Sequence, residues 1–562
     1  LSFRNAERRF PEFFEPYNFS CGAQPFVPIG TQSLHAGIFA GLHLPMVKKA
    51  TDWDGSSLSL VHRRVDAKDD SALTSLHAFR SEPSARARVV AGSLLMVASR
   101  VAVLGCGLVL MGYLTRKLGL EDYGRYAFSL LLVNWIGVSI GLATGGALVR
   151  LVAGRADGHR FAASMLQLVA LVSCGLGLLL FAGAGWLAAL VRSPEIADLL
   201  RVLAIDLPLG GMAGVHLGIL TARGEFLKNA IGNLAGWILQ LGAAVVFLEG
   251  GAGLRGAGWA VVAGGAGQLA LARAMSGVEM MSRERVGFSE LWGETRLMAG
   301  AQVALRVSQS MDLVAVKYFL LSPAFAGLYA GVQNIGFAAM MLFQPTTPVV
   351  QQSLSKSRLA ENPAEAEKVA QTFLRVALIY GGVLVALGVF SREIAVFLLG
   401  REFSESGRVL AVLLVAVAFR IQAAAGRTLI AAAGERLSIL VPLVVLIASG
   451  AVAFAVVVPR AGLLGAAWVA AYLAMGTALV SLHDGIRLLG LRYPWATLAR
   501  VVAASAATTG IGLWLRSFPL HVLVDLTLAT LCYAVTLLLL REWNPKRGRL
   551  MELRKIFFSR IP

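Results

Sequence analysis

The sequence predicts an all-α polytopic membrane protein of about 14 transmembrane helices: two repeated six-helix bundles around a central cavity, plus two C-terminal helices. Three observations carry this. In composition, 57% of the 562 residues are hydrophobic and only 15% are charged. Mean hydropathy is +0.69, which a water-soluble chain of this size does not reach. In spacing, apolar runs of roughly 20 residues recur from residue 88 onward, each long enough to cross a bilayer. In self-similarity, short motifs return in the same order about 203–210 residues later.

Residues 1–87 precede the membrane core. The first 45 are rich in Phe and Pro (RRFPEFFEPYNF) and hold no apolar run that could serve as a signal-peptide core. Met46 reads as a more natural start, so residues 1–45 are expected to be an over-extended reading of the gene. Residues 46–87 (HRRVDAKDD, RSEPSARAR) read as a charged, flexible cytoplasmic tail.

The expected spans follow at 88–113, 126–148, 163–190, 197–221, 228–248, 256–275, 297–320, 325–350, 370–390, 406–431, 437–458, 462–482, 498–515 and 520–540. They divide into a first bundle (88–275), a cytoplasmic linker (276–296), a second bundle (297–482) and two extra helices (483–541). A basic tail (542–562) ends the chain. With the N-terminus in the cytoplasm, the loops on that side carry the larger share of Lys and Arg. Both termini are therefore expected to be cytoplasmic. Asn362-Pro363-Ala364-Glu365 has the order of a helix start, with a capping Asn, Pro at the first helical position and Glu at the third. SREIAVFLLGREF (391–403) is too short and too charged to cross, and is expected to lie along the outer interface.

The repeat shows in LGLEDYGRYA (118–127) against LSPAFAGLYA (321–330), and in AGLRGAGWA (252–260) against AGLLGAAWV (461–469). Between these, Ala-Arg-Gly-Glu (222–225) parallels Ala-Ala-Gly-Glu (432–435). Gly253, Gly256 and Gly258, with Gly462 and Gly465, are expected to let helices approach closely. They are not a nucleotide loop, because no Gly-Lys-Ser/Thr follows and no strand precedes them.

The net charge of +18 sits in loops and tails rather than in an aromatic-interleaved patch. Anionic membrane lipid explains it, and nucleic acid is not expected as a partner. Cys106, Cys174 and Cys532 fall in apolar runs and Cys21 stands alone in the tail, with neither disulfide framework nor metal-ligand spacing. No metal or cofactor is expected.

The seventh span departs from this apolar pattern. Gln302, Arg306, Gln309, Ser310 and Lys317 fall within an arc of about 100° at 3.6 residues per turn, with Asp312 on its flank. Ions facing lipid cost several kcal/mol, roughly 2.5–3.5 on insertion scales, so the stripe is expected to turn inward and wall a wet, net-positive cavity. The competing reading has Arg306 and Lys317 snorkelling to opposite interfaces while Asp312 pairs within the protein.

Three stretches give the family resemblance. LTRKLGLEDYGRYAF, MDLVAVKYFLLSPAFAGLYA and VVPRAGLLGAAWVAAY resemble, in order and spacing, the polysaccharide-exporting (O-antigen and exopolysaccharide) flippase branch of the MOP superfamily over about residues 88–482. The resemblance implies a bacterial inner-membrane protein with no enzymatic activity. It would move a polyprenyl-pyrophosphate-linked oligosaccharide between leaflets by alternating access, with polysaccharide polymerase and export machinery as further partners. Arg306, Lys317, Arg100 and Arg420 are then the candidate pyrophosphate ligands, and Asp312 and Asp206 the counter-charges that hold the arginines without substrate. Gln302 and Gln309 share the face of Arg306 and Lys317, so an anionic head group held there is expected to meet all four, and Gln333 and Asn334 are candidate hydrogen-bonders to sugar or backbone. His216 is expected to be a satisfied polar residue rather than a proton carrier. A lipid II flippase, a multidrug exporter of the same superfamily, and a membrane glycosyltransferase or O-antigen polymerase stand as rivals. The multidrug exporter calls for an acidic cavity. The enzymes call for a nucleophile, base and orienter set that the sequence does not show.

Overall fold

Apolar runs of this length can satisfy their backbone in lipid only as helices, and every regular element among the described residues is helical. The computed structural model describes residues 83–152, 158–278, 288–359, 363–434, 440–517, 521–540 and 542. The first repeat comprises α1 (Pro83–Val152), α2 (Gly158–Leu190), α3 (Ala197–Ala204), α4 (Asp206–Ala222), α5 (Phe226–Glu249) and α6 (Gly253–Ser276). The second comprises α7 (Phe288–Leu320), α8 (Pro323–Phe343), α9 (Thr346–Leu359), α10 (Pro363–Leu387), α11 (Ser391–Leu399), α12 (Gly407–Ala432) and α13 (Leu440–Leu489). The helices α14 (Trp495–Leu515) and α15 (Val522–Leu539) complete the chain.

Ten helices among the described residues are long and apolar enough to cross a membrane. Two of these each hold two spans. α1 turns at Gly119 (φ 72°) and α13 at Gly462 (φ 58°). Two more helices, α6 diluted by glycine and α7 by charge, make up the fourteen. The turns fall at closely matching places in the repeats: Leu321 (φ 56°) is the counterpart of Leu118, one residue before the turn at Gly119, and Gly253 (φ 51°) answers Gly462. Gly253 and Gly462 are thus turn residues with open space where a Cβ would stand, a correction to their expected packing role. Gly258 and Gly465 do pack as expected; an added Cβ would lie 2.6 Å from Leu199 and 2.7 Å from Ala461.

The eighth span ends earlier than expected. Pro345 cannot donate to the ladder, so α8 stops at Phe343. The Thr346 and Thr347 hydroxyls donate to the freed carbonyls of Phe343 (2.7 Å) and Gln344 (2.9 Å). The chain then restarts as α9. Pro363 opens α10 as the sequence suggests; its capping Asn362 lies outside the described residues. The linker expected over 276–296 is shorter, because α7 already begins at Phe288. Pro83 already belongs to α1, and the rest of the N-terminal tail up to residue 82 lies outside the described residues.

The odd-numbered turns gather at one end of the molecule, with α11, and the even-numbered turns gather at the other, with α9. At the α11 end, Arg516, the residue just after α14, pairs with Glu393 of α11 at 2.5 Å. The two extra helices dock on α10: Tyr533 Oη donates to Ile379 O (3.1 Å) and Ser505 Oγ to Gly382 O (3.0 Å). Exposed Trp495 and Trp514 mark the two ends of α14. They are about 28 Å apart along the axis, close to the ~30 Å hydrocarbon thickness at whose borders Trp collects.

Candidate functional site

The two repeats meet along α1, α7 and α8, and in the half of the molecule toward α11 the seam is tight. Gly124 and Gly327, equivalent in the repeat alignment, face each other. A Cβ on Gly124 would stand 2.0 Å from Pro323 O, and one on Gly327 would stand 2.1 Å from Leu120 O. Only glycine permits this approach. Around the pair, Asn334 Nδ2 donates to Tyr123 Oη (3.2 Å). Thr115 Oγ1 donates to Leu399 O (2.9 Å), and Arg116 reaches Phe397 O (2.9 Å). Further along the seam, Trp135 Nε1 of α1 donates to Ser310 Oγ of α7 at 3.0 Å.

α7 carries two polar faces rather than one stripe. The first looks across the seam and holds Arg306, Ser310 and Lys317. Lys317 is 3% exposed and lies in the field of Glu195 and Arg125. Those two residues form an ion pair of their own at 2.8 Å. Eleven residues, about 16 Å of helix, separate Lys317 from Arg306, so one head group does not meet both. Arg306 is half-buried, and among the described residues no side chain pairs with it. Among the described residues it is an unpaired cation one turn from the Ser310–Trp135 contact. Gln302 stands one turn before it on α7, its side chain outside the described residues.

The second face looks into the second repeat. Asp312, 2% exposed, accepts from Tyr329 Oη (3.0 Å), Gln333 Nε2 (2.7 Å) and the Leu313 N–H (3.0 Å). Its Oδ2 lies 3.7 Å from the Arg420 guanidinium. Arg420 also donates to Gln309 O (3.0 Å) and stacks over Phe337, 5.3 Å from the ring centre. Asp312 is therefore the counter-charge of Arg420 rather than of Arg306. Gln333, 4% exposed, is spent on the carboxylate and is not open to sugar.

Other expected site residues lie elsewhere. Arg100 is exposed on α1. Asn334 is used at the seam. The arginine expected beside Asp206 is absent among the described residues; its carboxylate lies instead against Gly265, where a Cβ would come within 2.2 Å of Oδ1. His216 is fully buried, with Nδ1 at 2.8 Å from Ser276 Oγ, but its Nε2 has no hydrogen-bond partner among the described residues, so the expected satisfaction is only half met. Among the described residues no three His, Cys, Asp or Glu gather as a metal site would require.

Sequence reading passed over Arg427. It stands seven residues after Arg420, on the same face of α12. Together they border a narrow cleft between α7, α12 and α13, with Ser308, Gln309 and Thr477 on its other walls. The signal was present as a second arginine at helical spacing in an apolar run.

Comparison with known proteins adds the following. The model of the family described as polysaccharide biosynthesis protein matches residues 113–408. No curated protein matches the chain in sequence. Among solved structures, the fold is similar to the lipid II flippase MurJ in an inward closed conformation, with a TM-score of 0.65 and 13% identity over 81% of this chain and 99% of that one. It is also similar to an inward-facing MATE-family multidrug resistance transporter of the MOP superfamily, with a TM-score of 0.59 and 13% identity over 71% of this chain and 98% of that one. A third is a MOP superfamily transporter from Pyrococcus furiosus whose binding pocket is described as reversed in polarity. There the TM-score is 0.57, with 14% identity over 73% of this chain and 97% of that one.

Proposed function

The chain belongs to the polysaccharide biosynthesis protein family within the flippase branch of the MOP superfamily, and on that premise we propose that it flips a polyprenyl-pyrophosphate-linked oligosaccharide across the bacterial inner membrane. The observation that carries this is Arg306, a half-buried arginine with no partner among the described residues, one turn from the Ser310–Trp135 contact between the repeats. An arginine held in a low-dielectric site without a carboxylate is costly unless an anion visits it. Its planar fork suits phosphate oxygens. A cationic groove does not suit a carrier of cationic drugs.

The Lys/Arg balance of the loops sets the α9 end in the cytoplasm and the α11 end outside. The seam at Gly124 and Gly327 then closes the outer side. Substrate enters from the inner leaflet, its head group engages Arg306, and opening of the seam delivers it outward. The glycan is expected to come from, and pass to, polysaccharide assembly machinery in the same membrane.

Deleting the gene and identifying which undecaprenyl-linked intermediate gathers on the cytoplasmic leaflet tests the proposal. An oligosaccharide on the carrier is the expected result. Accumulation of lipid II alone would replace this reading with a peptidoglycan role.

A further inference from the structure

The two helices that follow the second repeat stand outside both six-helix bundles, and flipping as described above gives them no task. One short element, α11, links them to the first repeat. We propose that α11 is a brace: tied at its start to the extra helices and gripped at its end by Arg116 of α1, it holds the outer side closed. The inference rests on the reading of the α11 end as the outer side that opens during transport.

The grip follows from what a helix end needs. The last four carbonyls of a helix have no partner within it. In α11 these belong to Val396, Phe397, Leu398 and Leu399. The Gly400 N–H returns to Val396 O at 3.0 Å, and at Gly400 (φ 115°) the chain leaves the helix. The other three carbonyls are met by α1. Arg116 donates through Nη2 to Phe397 O (2.9 Å) and through Nη1 to Leu398 O (3.2 Å), and Thr115 Oγ1 donates to Leu399 O (2.9 Å). A guanidinium is also favoured at the negative end of a helix dipole. The approach is close, since a Cβ on Gly112 of α1 would stand 2.6 Å from Leu398 O. Three carbonyls of the second repeat thus rely on two adjacent side chains of the first, and parting the repeats at this end gives up all three bonds.

The start of α11 is tied to the other side. Glu393 lies in its first turn, where a carboxylate suits the dipole. Its Oε1 accepts from Arg516 Nε (3.1 Å) and Nη2 (2.5 Å), just beyond α14. Phe397 meets the ring of His521, the residue before α15, edge to face at 6.0 Å. A helix of nine residues is about 13 Å long and moves as one body. Loosening it at Glu393 is therefore felt at the carbonyls that Arg116 holds.

The test uses the full-length protein in nanodiscs without substrate, with spin labels at Glu121→Cys and Phe325→Cys in a background cleared of native cysteines. Arg116→Gln should raise the ratio of long to short distances about three- to tenfold. Arg116→Lys, which keeps the charge but loses the fork, should restore part of the short distance. Arg516→Gln, at the far end of the brace, should shift the ratio in the same direction by about two- to fivefold. Combined with Arg116→Gln it should fall short of the product, because both act through α11. Arg460→Gln should change nothing; this exposed arginine donates to Val456 O of its own helix. Gly112→Ala, which presses a methyl group on Leu398 O, serves if Arg116→Gln does not fold and should also favour the long distance. An unchanged distribution in whichever of these two variants folds would overturn the inference, as would a response to Arg116→Gln with none to Arg516→Gln. None of these results bears on which lipid is carried, which the gene deletion decides separately.

Discussion

Replacing Gly124 by Ala should open the seam between the repeats at the α11 end. The added Cβ would lie 2.0 Å from Pro323 O and 2.7 Å from the Gly327 N, against an ordinary contact of about 3.4 Å. Both neighbours are backbone, so neither can rotate away, and the helices must part by about 1.4 Å. Overpacking of this kind costs about 1–3 kcal/mol, which lowers the closed-to-open ratio by roughly 5- to 150-fold. Spin labels at Glu121→Cys and Phe325→Cys, both exposed beside the seam, report the separation in a background cleared of native cysteines. Gly124→Ala should move population from a short to a long distance, and Gly327→Ala should do the same. Because the two contacts are reciprocal, their effects should not add. Gly183→Ala on α2, with nothing within 4 Å of its Cβ, controls for the gain in helix propensity. An unchanged distance distribution in folded Gly124→Ala protein would refute the argument that this contact closes the outer side.

Further predictions concern the buried charges. Asp312→Ala should destabilise the protein by about 3–5 kcal/mol, since it leaves Arg420 buried without its carboxylate. Asp312→Ala with Arg420→Met should recover part of that in thermal unfolding, and no recovery would mean the pair is not a unit. Glu542, outside the spans at the α9 end, is buried, which pushes its carboxyl up. Thr497 Oγ1 at 2.7 Å and the paired Arg500 outweigh this and hold it below the ordinary carboxylate range. A depressed folded pKa stabilises above the unfolded value and loses that contribution as pH falls through the folded one. The wild type should therefore lose more thermal stability than Glu542→Gln on acidification from about pH 5 to pH 3. An identical acid response in the two would show that the clamp contributes nothing.

The spans were legible because a 20-residue apolar run has one solution in lipid, and the repeat because its glycine turns recur in order. The alignment placed Gly124 and Gly327 in equivalent positions, but not in contact with each other; that depends on how the two bundles face across the pseudo-symmetry. The same limit governs the site. Helical periodicity puts Arg306 and Lys317 on one face, yet a shared face says nothing of distance along the axis, and Lys317 lies instead in the field of Glu195 and Arg125. Asp312 was visible as a buried acid, whereas its partner Arg420 lies more than 100 residues later on another helix. Tyr329 reads only as the repeat match of Tyr126, and Gln333 and Asn334 read as hydrogen-bonders to sugar or backbone. Only the fold shows that the first two serve Asp312 and the third serves the seam.

The central claim is that Arg306 receives the anionic head group of a lipid-linked oligosaccharide. Purified protein reconstituted into liposomes with a polyprenyl-diphosphate-linked oligosaccharide tests it most directly, with the rate of leaflet exchange as the readout. The wild type should exchange the lipid; Arg306→Ala should not, at unchanged protein content, and Arg306→Lys should recover part of the rate because an ammonium keeps the charge without the fork. Exchange by Arg306→Ala at the wild-type rate would contradict the account and leave Arg306 a structural residue.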